Sequence, residues 1–236
     1  MAGPLMTTTA TEGPIPLLRL FQLLSPSLPV GAFAYSQGLE WAVESGWVGD
    51  QLTLADWLSD QLAQALTFVD LPILLRMAAA AIADDAQTMA HWISELRALR
   101  ETAELRAEEA GRGRALADLL GSFGLLDEPR TGWHALLSQS HLAGFAFAAA
   151  KWNLGSYHAL LGYGWSWAEN LTLAGVKLIP LGQTAGQRIL LSLAEQIPAA
   201  VERAQALDDN AIGASTPALA IASSRHETQY TRLYRS

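Results

Sequence analysis

The sequence predicts an all-α fold, a single-domain multi-helix bundle around a buried central helix. Three observations carry this. Apolar residues recur at helical spacing along most of the chain. No stretch alternates in the manner of a strand, and no Asn-Gly hairpin signal occurs. Between Gly155 and Leu178 both helical faces are apolar or small: Leu160, Gly164, Trp167, Leu171, Ala174 and Leu178 form one stripe, and Leu161, Trp165, Ala168, Thr172 and Gly175 another. A helix that is apolar all round is buried all round.

The elements follow in order. Residues 1–15 are rich in Thr, Gly and Pro and read as a disordered extension to a helical domain over 16–222. Leu17 to Leu24 reads as a short helix that starts after Pro16 and stops at Ser25-Pro26. Ser25 to Ala34 is loop. Ser36 can cap a helix running to Ser45, with Gly46 as its stop. Thr53 can cap the next, whose Leu54, Trp57, Leu58, Leu62, Leu66 and Val69 keep helical spacing; Pro72 should kink or break it before a short apolar helix to about Ala83. Asp84 or Asp85 caps a charged helix over about 86–110, where Arg97/Glu101, Arg100/Glu104 and Glu108/Arg112 can pair at i, i+4. Gly111-Arg-Gly-Arg loosens it before Ala115 to Leu120, and 121–133 is a connector. The central helix ends at Pro180, and another runs over about 183–206. A loop from Asp208 leads to the last segment, 223–236, a docking tail.

That tail is the most informative stretch. It interleaves Tyr230, Leu233 and Tyr234 with Arg225, Arg232 and Arg235, where a chain end is usually small and polar. Three Arg against Glu227 give it +2, in a chain whose formal charge is -8. Tyr and Arg dominate interface hot spots. Docking to a partner and folding back onto the parent core both account for such a tail.

Composition narrows the function. Half of the 236 residues are hydrophobic and none is Cys, which excludes a disulfide framework and thiolate sites. The acidic balance argues against nucleic acid as a partner. The run Leu142 to Ala150 is too short to span a bilayer, and no Lys or Arg precedes Arg19 as a secretory signal requires. The expectation is a cytoplasmic protein that meets no membrane.

Most chemical motifs fail. No phosphate-binding loop surrounds Lys151 or Lys177, and no Gly-x-Gly-x-x-Gly occurs. Ala34-Tyr-Ser-Gln-Gly38 approaches a nucleophile elbow, but a Pro-rich loop stands where the elbow needs a strand, so Ser36 reads as a helix cap before it reads as a nucleophile. His226-Glu227 opens a zinc-hydrolase motif that Tyr230 fails to complete. His134, His141 and His158 could form a weak metal site, though scattered histidines are more often structural. Lys177 is a cation near the end of an otherwise apolar helix, with Gln183, Gln187 and Arg188 returning beyond Pro180. The helix dipole favours a cation there for structural reasons alone, and a partner interface is the rival reading.

Four stretches together carry a resemblance: Leu20 to Glu40, Trp165-Ser-Trp-Ala-Glu-Asn170, Val176 to Arg188, and Ser224 to Arg235. In order and spacing they are similar to the UreF-type urease accessory proteins, from about residue 17 onward. The resemblance implies an all-α homodimer and not an enzyme. It implies assembly with a UreD-type scaffold (UreH in some systems) and a UreG-type nickel-carrying GTPase, acting on apo-urease to install its dinickel centre. Nickel and GTP would then belong to the assembled complex, with no catalytic residue, metal or cofactor on this chain. Partner contacts are expected from Phe33, Tyr35, Glu40, Lys177, Gln183, Gln187, Arg188, Arg225, His226, Glu227, Tyr230, Leu233 and Tyr234. The alternative is an α-helical serine hydrolase using Ser36, with His141 or His226 as base.

Overall fold

The computed structural model describes residues 13–126 and 132–236. Among them it is helical without a strand. The helices are α1 (Pro14–Leu24), α2 (Leu39–Glu44), α3 (Gln51–Gln61), α4 (Leu71–Ile82), α5 (Ala86–Leu99), α6 (Ala103–Ser122), α7 (Trp133–Leu137), α8 (His141–Lys151), α9 (Ser156–Leu178), α10 (Gln183–Ala206) and α11 (Pro217–His226). One hydrophobic core runs from Leu20 to Tyr234.

α1 starts at Pro14, ahead of Leu17, because Pro occupies the first helical position without losing a bond. The expectation for residues 1–12 lies outside the described residues. α2 starts at Leu39, and Ser36 supports it from outside by accepting the Glu40 N–H at 3.3 Å. Asp50, not Thr53, caps α3; the two form a reciprocal box, Asp50 accepting from the Thr53 N–H at 2.9 Å.

Pro72 does not break its helix. α3 and α4 are joined by a π-helical segment, Leu62–Asp70, into one rod, Gln51–Ile82. The wider turn absorbs the proline: the Leu71 N–H reaches back five residues to Leu66, and the Thr67 hydroxyl to Leu62 at 2.7 Å. Pro72 has no N–H for the Phe68 carbonyl, which accepts the Gly213 N–H at 2.9 Å instead. By length and composition the rod could cross a membrane, but 67% of its most apolar window is buried within the fold.

The charged helix expected over 86–110 is two helices. Asp85 caps α5, the backbone turns extended at Arg100, and Thr102 caps α6. Of the three expected i, i+4 pairs only Glu108/Arg112 forms, at 3.0 Å, since Arg100 is drawn inward instead. Gly111 and Gly113 do not loosen α6. Gly113 faces the Ser140 backbone, where a Cβ would stand 2.7 Å from the Ser140 nitrogen, so glycine lets α6 lie directly on the start of α8.

α8 is the most enclosed helix, buried from His141 to Ala149 between α4 and α6. α9 packs along α10 and touches α1, α2, α3 and α4. Its glycines receive neighbours closely: Leu20 and Leu24 at Gly162, Ile197 at Gly164, Leu54 at Gly175. α11 continues across residue 223, the expected start of the tail, and packs on α2 and α6.

Candidate partner-binding surface

The chain beyond α11 returns to a seat made by α2, α6 and the turn before α2. Gly38 lets α11 itself lie against the turn before α2. Its φ of +79 favours glycine, and a Cβ there would meet the Ser223 nitrogen at 2.6 Å. Glu40 is the acceptor at the centre of the seat. Its Oε1 takes the Leu233 N–H at 2.6 Å, and its Oε2 takes the Tyr234 N–H at 2.8 Å. His226, fully buried, places Nε2 3.1 Å from Glu40 Oε2 and Nδ1 2.7 Å from Glu104 Oε2. Arg232 donates to Glu104 Oε1 at 2.8 Å. The Arg235 N–H bonds the Ala34 carbonyl at 2.8 Å, the Ser36 N–H bonds the Ser236 carbonyl at 2.7 Å, and the Ser236 hydroxyl bonds Glu108 at 3.1 Å. Glu227 accepts the Ala103 N–H at 2.9 Å, a carboxylate at the positive end of α6.

The tail divides residue by residue into buried and exposed positions. His226, Tyr234 and Ser236 are buried, whereas Arg225, Glu227, Tyr230, Arg232 and Leu233 are exposed. Tyr230 stands free of the fold and, with Arg225, borders a groove completed by Trp41, Trp47, Glu44 and Ile221. Trp41 and Trp47 meet edge to face, 4.9 Å between centroids. A second groove brings Phe33, which is 67% exposed, and Tyr35 beside Arg235, Glu104 and Arg114. Glu40 turns wholly inward. The Tyr234 hydroxyl and Gln229 Oε1 are buried without a partner among the described residues.

Beneath the seat lies a polar network that no motif announced. Arg100 grips Asp70 through both terminal nitrogens, at 3.0 and 2.6 Å, and reaches Glu109 at 3.1 Å. Tyr163 donates to Asp70 at 3.1 Å. Burial pushes the Glu109 carboxyl up, but Arg100, the Leu142 N–H and the Ser140 hydroxyl outweigh it and hold it at about 2. Glu108 takes Arg112 at 3.0 Å and Gln37 at 3.1 Å. Arg112 also approaches His141 Nε2 at 3.3 Å. Burial first, and then the Arg112 charge, depress His141 to about 3, so the ring is neutral. A cavity of ≈ 40 Å³ among Gln37, Glu108, Arg112, His141 and Asn170 has room for water.

Lys177, Gln183, Gln187 and Arg188 are all exposed around the α9–α10 turn, while Ile179 within that turn is buried. None of the four makes a hydrogen bond or ion pair among the described residues, and none borders either tail groove.

The hydrolase alternative fails on geometry. Ser36 is fully buried, and its hydroxyl is spent on the Ser236 carbonyl. His141 faces Arg112, and His226 faces two carboxylates. His134 lies on α7 with Asp118 at 2.8 Å, not on one helix with His141. Among the described residues no three His, Asp or Glu side chains form a group that could hold a metal ion.

Fold and surface define the class: an all-α protein that presents shaped apolar and charged faces. The comparisons agree. The UreF family model matches residues 48–194. A urease accessory protein UreF from Pseudomonas entomophila (strain L48) is 51% identical over 220 residues, covering 93% of this chain and 97% of that protein. One from Alcanivorax borkumensis is 48% identical over 224 residues, covering 92% and 97%, and one from Enterobacter sp. (strain 638) is 46% identical over 219 residues, covering 93% and 97%. The chain belongs to the UreF family of urease accessory proteins.

Proposed function

We propose that the protein is the adaptor of a urease-maturation complex. In this reading it binds a UreD/UreH-type scaffold through the tail face and a UreG-type GTPase through the α9–α10 turn. It couples GTP hydrolysis to nickel insertion into apo-urease. It works in the cytoplasm as a homodimer and holds neither nickel nor GTP itself. The observation that carries the reading is the division of the tail. A seat that fixes Tyr234 and Ser236 inward holds Leu233 outward and presents Tyr230, preorganised, at the border of an aromatic groove. Preorganised aromatic groups lose little on binding. The buried, unpartnered Tyr234 hydroxyl and Gln229 oxygen favour a surface that another molecule completes. On α1 the exposed Ile15, Leu17, Leu18 and Phe21 likewise suit an assembly better than a monomer.

The test is a pull-down with purified scaffold and GTPase, with and without GTP and Mg²⁺. Tyr230→Ala combined with Leu233→Ala should lose about 2 kcal/mol or more of scaffold affinity, as hot-spot truncations do, with Tm unchanged because neither side chain is buried. Lys177→Ala should weaken GTPase capture while scaffold binding holds. Retention of both partners by both variants would sink the assignment of these faces.

A further inference from the structure

Four ionisable side chains close the tail seat: Glu40 on α2, Glu104 on α6, His226 on α11, and Arg232 beyond it. Carboxylates accept hydrogen bonds and cannot donate, and a neutral imidazole carries one N–H. Yet both ring nitrogens of His226 face carboxylate oxygens, at 3.1 and 2.7 Å. The cluster therefore needs one proton more than a neutral imidazole and two carboxylates provide. With it, two carboxylates balance an imidazolium and the Arg232 guanidinium. Without it, a ring lone pair points at a carboxylate oxygen in an enclosed site with one uncompensated negative charge, which is costly.

No neighbouring group supplies the missing cation. Glu108 is taken up by Arg112, Gln37 and Ser236; Glu227 holds the Ala103 N–H; Glu44 is bonded to Gln229. Arg225 and Arg235 are exposed and pair with no carboxylate among the described residues. The Tyr234 phenol is pushed up by burial and by Glu40, and stays neutral. Glu40, which receives the ring, also receives the Leu233 and Tyr234 N–H groups.

We propose that Glu40, Glu104, His226 and Arg232 form a proton-coupled latch: uptake of one proton seats residues 231–236 on α2 and α6, and its loss releases them together with the arrangement of Tyr230 and Leu233. This rests on reading the tail face as a docking surface, which the latch would regulate. The proton is bound in the seated state, so seating strengthens as pH falls and weakens as pH rises.

The test is amide hydrogen exchange, by NMR on the full chain, across buffers from mildly acidic to mildly alkaline and corrected for intrinsic exchange. Protection of the Leu233 and Tyr234 amides should fall as pH rises, by no more than about tenfold per pH unit, the limit for one linked proton. The α8 amides should keep theirs. Glu104→Gln offers an amide N–H to a neutral Nδ1, so the tail should stay protected while the slope disappears. Should that variant lose the tail at every pH, the ring nitrogen shifts of His226 in the unaltered protein decide instead: both nitrogens must carry a proton while the tail is seated. A flat profile in the unaltered protein, or an unchanged slope in the glutamine variant that stays seated, would overturn the latch. Scaffold affinity measured across the same buffers separates the two ideas: a pH slope at the tail with indifferent affinity keeps the latch and removes the docking role.

Discussion

His141 is a neutral ring held beside a guanidinium, and that arrangement has a pH cost of known sign. Its folded value, about 3, lies below the ordinary 6.5, so the unfolded chain takes up a proton that the fold refuses. Stability is intact above 6.5 and falls as pH drops below it, by up to about 1.4 kcal/mol for each pH unit. His141→Gln keeps an acceptor for Arg112 and removes the titration. Its Tm should fall less than that of the parent between neutral and mildly acidic pH, and parallel curves would contradict the assignment. Glu109 acts lower. Depressed from 4.5 to about 2, it contributes stability that is lost only as pH falls through that interval. Glu109 carried no signal in the sequence, and His141 stood out only as a candidate metal ligand or base, not as a neutral ring beside a guanidinium. Their state is set by Arg112 and Arg100, and Arg100 reads locally as the partner of Glu104 on one continuous helix. Its true partner Asp70 lies 30 residues earlier, where only the fold can bring it.

At the scale of elements, local signals sufficed where the chain itself supplies them. Gly155 and Pro180 bound α9, and Gly182 opens α10, so both helices lie where periodicity places them. Signals failed where a tertiary contact decides. Pro72 is a breaker in any local reading, but a wider turn and a carbonyl bonded to a distant loop absorb it. The break at Arg100 needs two buried carboxylates that periodicity cannot see. Gly113 looked like a weak point in α6 and is instead its contact with α8. Gly113→Ala would push a Cβ onto Ser140 backbone, which cannot rotate away as a side chain can. We expect it to cost about 1–3 kcal/mol, in the range of overpacked cores, measured by denaturant unfolding. Gly121→Ala, with open space around its Cβ, should cost nothing comparable.

At the scale of the whole molecule, the tail belongs to the fold as much as to the surface. The aromatic-basic pattern marked residues 223–236 as unusual, yet which side chains turn inward depends on Glu40, Glu104 and Ser36, far away in sequence. Removing everything from Ser224 onward would strip Glu40 and Glu104 of His226, Arg232 and two backbone donors. Breaking buried charge clusters in this way costs several kcal/mol. We expect the truncated chain to remain helical by circular dichroism but to melt at a clearly lower temperature; an unchanged Tm would mean the seat contributes little. The same connectivity sets an order in time. Glu40 leaves the ribosome early, and the amides that satisfy it follow 193 and 194 residues later. Once α8 and α9 have been made, the bundle can assemble around them while that carboxylate waits in an open cleft. The seat is therefore closed by residues made long after Glu40, and the outward display of Tyr230 and Leu233 comes into being only once residues 231–236 have emerged. A polypeptide terminated before residue 231 would lack that display, so recruitment would itself report that synthesis has passed the seat.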